Sequence, residues 1–525
     1  MGLDIFNWDV VGALNYDQVN AAIATSGASP TRLQQTASAG GSSMDITCGT
    51  WRLTTGGSGE NILIEVPITG GTVTIQGNDF TLDPSTSTTL FSVDASYLPQ
   101  PGNSARRELR LSDKRQSGTP PSASPPTPAQ ANVLVQAELS ALLTEWVQTN
   151  LQEFNHVFAV VDLEVEFEHQ PGFTWMRPWH IGYAVKEPDS NATTANSVFA
   201  VLALIDEPGS QAEKDVLTSR LTYQVDLGAI PAGKDGGLAV SSAKTLKHMF
   251  LPVAPLMFGN KDDYPPMSDF TLHNDGTAIN NNKKLTMQKM KLDNGKEVQP
   301  YVNENNFEIS IDGKRLKIGF VDASYDYALG VVIKLTMRSE NSVKLTSDNH
   351  FTLNEEKRTG GGSVTTTVAV DVLSIAAGVV SFLAACVGAG AGKVAKVAEV
   401  AAEGLDAASI SLEEVSGGSE AAQEAETATI CGGMITGTAP ELESLGARLM
   451  TVAKVAGATS FVFGTPAVVY GIVAAIANGQ SSISGDLEPF FDAAMEKAMS
   501  FPNTPKYRLT SAELDTNLIF GLTKS

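Results

Sequence analysis

Along Asn305–Phe320 the chain reads NNFEISIDGKRLKIGF. Phe307, Ile309 and Ile311 alternate with polar residues, Asp312-Gly313 follows, and Leu316, Ile318 and Phe320 alternate again. Side chains on a strand point to opposite faces in turn, so each run has one oily and one wet face. Asp-Gly between two such runs signals a hairpin, because a tight turn needs a left-handed residue and glycine takes that conformation at little cost. The same alternation recurs elsewhere. Ile62, Ile64, Val66 and Ile68 lie in Trp51–Thr74, which reads as two strands around Gly70-Gly71. Leu90–Val93 and Leu109–Leu111 read as shorter strands, and Val161, Leu163, Val165 and Phe167 as another. Ser197–Ile205 is almost continuously apolar and reads as a strand covered on both faces. Strand patterning returns from Phe270 to about Arg338 and again over Tyr507–Leu522.

Two segments break the period of two. Val135, Leu139, Leu142, Leu143, Trp146, Val147, Leu151 and Phe154 recur at spacings of three and four, with Gln136, Glu138, Glu145, Gln148 and Gln152 on the other side. This predicts an amphipathic helix within 131–154. Ser242 to about Leu251 predicts a second, with Leu246, Met249 and Phe250 on one side and Pro252 and Pro255 ending it. Strands, helix, strands, helix, strands make an α+β protein rather than the strict alternation of a parallel α/β fold.

A Pro-rich loop spans 117–130, with five prolines between Thr119 and Pro128. The glycines at 360–362 mark a change to Ala, Gly and Val. Val372–Gly392 carries no charge, and neither does Val455–Gly485, most apolar over 461–477. Acidic residues from Glu399 to Glu426 lie between them. The expected organisation is a sheet-and-helix body over 1–360, an Ala/Gly-rich helical segment over 361–490, and a C-terminal helix and strand over 491–525 that return to the body. The uncharged segments read as a buried helical hairpin or, alternatively, as membrane-inserting segments, 372–392 having the ~20-residue length of a span.

The net charge of −22 (Lys+Arg 36, Asp+Glu 58) argues against nucleic acid, since phosphate backbones attract clustered lysine and arginine. The densest basic run, Arg106–Arg115, carries acids as well. Cys48, Cys386 and Cys431 form neither a disulfide framework nor a zinc spacing, which fits a reducing cytoplasm or a protein that uses Cys as a small hydrophobe. MGLDIFNWDVVG lacks the basic-then-apolar layout of a secretory signal, so the expectation is a cytoplasmic protein as synthesised, released, if at all, without a signal.

Catalytic chemistry is hard to find. The six histidines are scattered without metal-ligand spacing. His180, in FTWMRPWHIGY, reads as a partly buried structural ring more readily than a ligand contact. VGAGAGKVAK at 387–396 fails as a phosphate loop, because Val387 and Val394 stand where glycine and a hydroxyl are needed. TTGGSGE at Thr54 has Glu60 in place of the last glycine of a nucleophile elbow, and HNDGTAINNN at His273 lacks the closing glutamate of a calcium loop. Glu164 and Glu166 share one strand face and read as solvated. No enzyme activity, cofactor or metal is expected.

Taken in order, FNWDVVGALNYDQVNAAI, WRLTTGGSGENILIEVP, ANVLVQAELSALLTEWVQTNLQEFNHVFAVVDL, SSAKTLKHMFLPVAP and FEISIDGKRLKIGF resemble the clostridial proteins encoded with OrfX proteins beside botulinum neurotoxin genes. That family in turn resembles the tubular lipid-binding (TULIP) superfamily. The resemblance covers residues 1–345 and again the last twenty. It implies an elongated TULIP-like body in which strongly curved antiparallel sheets wrap long amphipathic helices and leave an apolar channel. Leu139, Leu142, Leu143, Trp146 and Phe154 would then face the sheet or channel and hold a lipid or other apolar ligand. The family is linked to toxin clusters, lipid binding and insecticidal systems. Three functions follow as expectations: a non-enzymatic binder of an apolar ligand, an accessory or scaffold protein binding other toxin-cluster proteins around a filled interior, and an effector inserting 372–392 and 461–477 into a membrane.

Overall fold

The computed structural model describes residues 2–366 apart from 28–29, 83–86, 113–119, 168–170, 259–263, 288–289, 292–296, 329–330 and 346–350. It also describes the strands at 409–416 and 428–430, and residues 491–525. Every strand pair among them is antiparallel. The fold is mostly sheet, with one long helix among the described residues: α1 is Tyr16–Ser26, α2 Val133–Thr149, α3 Gln211–Thr218 and α4 Ser242–Thr245.

The Asp312-Gly313 hairpin closes for the reason its sequence gives. Phe307–Asp312 pairs with Arg315–Ala328, Asp312 opposite Arg315, and Gly313 takes the left-handed φ of 54° that closes the turn. These strands belong to a ten-stranded sheet running from Phe270–Leu272 through Val331–Leu345 and Phe351–Thr366 to Ser409–Ser416 and Ala428–Ile430. Phe351–Thr366 runs straight through the glycine triplet where composition changes. Elsewhere in 361–490 the described residues are strands at 409–416 and 428–430; the segments 372–392 and 461–477 lie outside the described residues.

A six-stranded sheet has the order Pro178–Lys186, Val198–Ile205, Val10–Asn15, Gly236–Val240, Asn517–Lys524, Tyr507–Asp515. Its Val198–Ile205 strand is buried at every position, as an unbroken apolar run requires. Phe199, Val201, Ala203 and Ile205 enter the main core, while Val198, Ala200, Leu202 and Leu204 enter a second core on the opposite face. Leu3, Ile5, Trp8, Val225 and Ala229 cover that second core. The short N-terminal strap thus shares the cover of this face with the segment 221–230.

A seven-stranded sheet, ordered Ser122–Ala123, Ser87–Val93, Ile62–Ile75, Ser42–Cys48, Arg32–Thr36 with two short strands beside it, carries α2. Here Trp51–Thr74 differs from the expected pair of strands. One long strand, Ile62–Ile75, passes through Gly70 and Gly71, whose φ values of 155° and 133° bend it without breaking it. A second difference is at 161–167: the ladder stops at Asp162, which then accepts from the backbone N–H of Glu164 to make a turn, although Val165 and Phe167 still reach the core. Alternation recorded burial there, not pairing.

The second predicted helix is present but short. α4 is capped by Ser241, continues as a wider π turn over Leu246–Phe250 that buries Leu246, Met249 and Phe250, and ends in a 3-10 turn around Pro252 and Pro255. No described helix is long and apolar enough to cross a membrane.

Candidate functional site

α2 begins where the Asn132 side chain accepts from the N–H groups of Leu134 and Val135, satisfying two of the helix's free donors. Its apolar stripe faces the strands Arg32–Thr36, Ser42–Cys48 and Ile62–Ile75. The candidate residues Leu139, Leu142, Leu143 and Trp146 lie on this stripe, and Phe154 follows a 3-10 turn at Leu151–Glu153. All five are buried in the main core; even Trp146 is only 3% exposed. The structure therefore brings them together, and aromatic rings occupy the space beside them. Trp146 stacks near Phe91 (ring centroids 6.3 Å apart) and meets Phe154 edge-on at 5.8 Å, while Phe154 meets Trp51 at 5.3 Å.

The other side of α2 is partly covered, with Ala137, Ala141 and Gln148 exposed. Gln136 donates to the carbonyl of Pro126 (2.9 Å) and Gln148 to that of Pro121 (3.2 Å), so the Pro-rich loop lies along the helix. Proline has no N–H to give a ladder, but its carbonyl still accepts. Glu145 accepts from Gln35 and from the N–H of Ser38 at the far edge.

Next to this cluster His156 is buried against Trp51 and Phe158, with Nδ1 3.1 Å from Ser26 Oγ. Burial, helped by the charge of Arg110, lowers its pKa to about 4. Unfolded histidine titrates near ~6.5, so the folded state binds fewer protons between those values and loses stability as pH falls from ~6.5 towards 4, by about 3 kcal/mol from this group alone. Asp9 works the other way. Burial raises it to about 6 against the pull of Lys244, so its ionisation costs stability at neutral pH, and that cost is recovered as pH falls through 6. His156→Gln is expected to lose less stability than the wild type between pH 7 and 4.5. The check is the difference in urea midpoints at each pH, in which Asp9 cancels; equal pH slopes would remove His156 from the account.

The other sequence candidates resolve plainly. His180 stacks on Trp8 at 5.8 Å and lies beside Trp179 and Tyr223, a packed ring. The stretch at His273 is a hairpin turn in which Asp275 accepts from Thr277. Glu164 and Glu166 are exposed.

What the sequence reading missed is assembled from distant segments. Asp9 accepts from the N–H of Ile205 and faces Lys244 at 3.5 Å; Lys244, Lys247 and His248 converge on Asp206. Trp175 stacks on His248 at 4.4 Å. The contact with His248 first, and then the charges of Lys247 and Lys244, hold Asp206 well below the ordinary carboxylate range, while burial lowers His248 itself. They tie α4 to the ends of two core strands. Beside this knot opens a cleft of ≈ 920 Å³. Its walls are the strap from Gly2 to Asp9, Leu217 and Arg220 at the end of α3, Asp226 and Gly228, the start of α4, Asp275, and the turn Asp515–Asn517. The strap is zipped to that turn: Leu3 N–H donates to the Asp515 carbonyl and Asn517 Nδ2 to the Leu3 carbonyl. Phe6 and Asn7 both sit at positive φ, uncommon for side-chain-bearing residues, where the strap turns inward to bury Trp8.

The sequence profile of the family described as OrfX-like, Protein OrfX2/OrfX3/P47, matches residues 5–412. An OrfX3 protein of Paraclostridium bifermentans is 22% identical over 345 residues, 59% of this chain and 67% of its own. An OrfX3 protein of Clostridium botulinum (strain Kyoto / Type A2) is 25% identical over 348 residues, with the same coverage of both chains. Among solved structures, P47 from Clostridium botulinum A2 superposes with a TM-score of 0.60 at 15% identity, covering 99% of this chain and 98% of its own.

Proposed function

The chain belongs to the OrfX-like family of OrfX2, OrfX3 and P47 proteins, and from that premise we propose that it is a non-enzymatic accessory protein of a toxin cluster that works by binding other proteins of the cluster. The observation that carries this reading is the filled contact between α2 and its sheet, where Phe91, Trp146 and Phe154 occupy the space an apolar ligand would need. On this reading binding falls to the outer surface, and the ≈ 920 Å³ cleft there supports it.

A second reading, the tubular lipid-binding one, has Leu139, Leu142, Leu143, Trp146 and Phe154 parting to admit an apolar chain. It is favoured by the wholly apolar character of that helix face. Each methylene buried there would contribute roughly 0.8 kcal/mol before binding costs, but separating the rings forfeits contacts of similar size.

Native mass spectrometry of the purified chain, followed by solvent extraction, separates the two. The expected mass is that of the polypeptide alone, with nothing in the extract. A co-purifying lipid that is lost in Leu143→Trp, which crowds the interior, would transfer the function to the second reading.

A further inference from the structure

The cleft beside the N-terminal strap has a chemistry of its own. Five of its lining residues are acidic (Asp4, Asp9, Asp226, Asp275 and Asp515) and one, Arg220, is basic. Asp9 is already matched by Lys244. The other four face no cation within ion-pair distance among the described residues. Asp4 accepts from the N–H of Phe6, Asp226 from that of Gly228, and Asp275 from Thr277, local contacts that bring no positive charge, although His273 lies close enough to Asp275 to favour its ionised form. Leu3, Ile5, Phe6, Trp8 and Leu217 also line it; Leu3, Ile5 and Trp8 are themselves buried in the second core, which leaves Phe6 and Leu217 as the apolar side chains with exposed surface. Leu217 is 40% exposed and its neighbour Val216 49%, although α3 buries none of its own residues. A short amphipathic helix that keeps its apolar residues in water next to an acid-rimmed cavity lacks a cover.

We propose that this cleft receives a basic segment of a partner protein, lysines or arginines flanking one apolar anchor, the anchor lying against Phe6 and Leu217 and the cations meeting Asp4, Asp226, Asp275 and Asp515. Charge complementarity selects this occupant. Phosphate and carboxylate ligands meet like charge at the rim, and with a net charge of −22 the long-range field also draws in cations. The volume is at the upper end of the ~300–1,000 Å³ of pockets that hold discrete ligands, enough for an anchor side chain and its neighbours. The proposal rests on the reading of the chain as a binding protein and specifies where and what it binds.

The test uses the full chain and three labelled octapeptides: one with four lysines or arginines around a central phenylalanine, one with glycine replacing the phenylalanine, and one with glutamates replacing the bases. Fluorescence anisotropy at 50 mM salt should show the first binding, the second at least fivefold weaker, and the third not at all. The triple variant Asp4→Asn/Asp226→Asn/Asp275→Asn keeps each local hydrogen-bond acceptor, so its thermal midpoint should match the wild type while affinity for the first peptide falls at least tenfold. Raising salt to 500 mM should weaken the wild type more than the variant. Leu217→Ser, at a surface position, should reproduce the loss seen on removing the phenylalanine. No binding of the basic peptide, equal binding of the glutamate peptide, or an unaltered affinity in a folded triple variant would each overturn the proposal. So would a concentration-dependent dimer that the triple variant abolishes, which would give the cleft to a second copy of the chain. These results are distinct from failure of the underlying reading, which is registered by lipid in the native mass spectrum whatever the cleft does.

Discussion

Trp146→Ala should lower the unfolding free energy by about 3–5 kcal/mol, the largest single effect expected from the α2 face, since truncating a buried aromatic removes its apolar area and leaves a cavity. The indole is 3% exposed and touches Phe91 and Phe154, which are themselves linked to Trp51. Neighbouring rings in such a cluster cannot all relax into the vacated space, and the lost edge-on and stacked contacts add to the area term. The check is a urea or guanidinium titration followed by tryptophan fluorescence and far-ultraviolet circular dichroism, which must agree before a two-state value is taken. Leu143→Ala should cost about 2–5 kcal/mol by the same reasoning. If instead Trp146→Ala left the midpoint unchanged and created a site for an apolar dye, α2 would be a loose cover over a groove, and the second functional reading would gain.

Gly71→Ala is the other severe change, and its cause is backbone rather than core. Gly71 sits at φ 133°, and an added Cβ would lie 2.4 Å from the carbonyl oxygen of Asp45 and 2.6 Å from the Cα of Ile46 on the paired strand. Neither atom is the end of a flexible side chain, so the two strands must separate where Ile46 and Val73 enter the core. Strain at such a φ costs roughly 1–3 kcal/mol before the collision is counted, and we expect a loss of at least ~3 kcal/mol. Gly77 provides the comparison: its φ is 81°, but a Cβ would meet nothing within 4 Å. Gly77→Ala should therefore cost only the left-handed penalty, about 1–2 kcal/mol. Parallel denaturation curves of the two variants measure the difference, and equal losses would show that the close approach at Gly71 is easily relieved.

These two sites also show how far the sequence could be read. Period and turn chemistry placed α2, the Asp312-Gly313 hairpin, the doubly covered Val198–Ile205 strand and strand character over 507–522, though not the turn at Thr516 that makes the last of these a hairpin, because each is decided by residues within one short window. They also grouped Leu139, Leu142, Leu143, Trp146 and Phe154 on one face. The pattern did not show that Gly70-Gly71 lies inside a strand, since glycine marks a turn and a close strand approach alike. Nor did it show that Val165 and Phe167 are buried without pairing. α1 and α3 went unread; α3 has no buried residue to reveal its period. The cleft left no local signal, because its aspartates come from positions 4, 9, 226, 275 and 515 and only the sheet topology unites them. Family likeness could specify the fold, but charge gathered by tertiary structure is visible only once the strands are in place.

The six-stranded sheet has a consequence for synthesis. Its second strand in chain order to reach the centre, Gly236–Val240, pairs with Val10–Asn15 on one side and with Asn517–Lys524 on the other. On the ribosome that second edge stays open while well over two hundred further residues are added, an interval in which unpaired apolar strands invite aggregation. A nascent chain of this kind depends on being shielded until its last hairpin emerges, so yield in a foreign host should respond to the supply of chaperones more than to any stabilising change in the finished core.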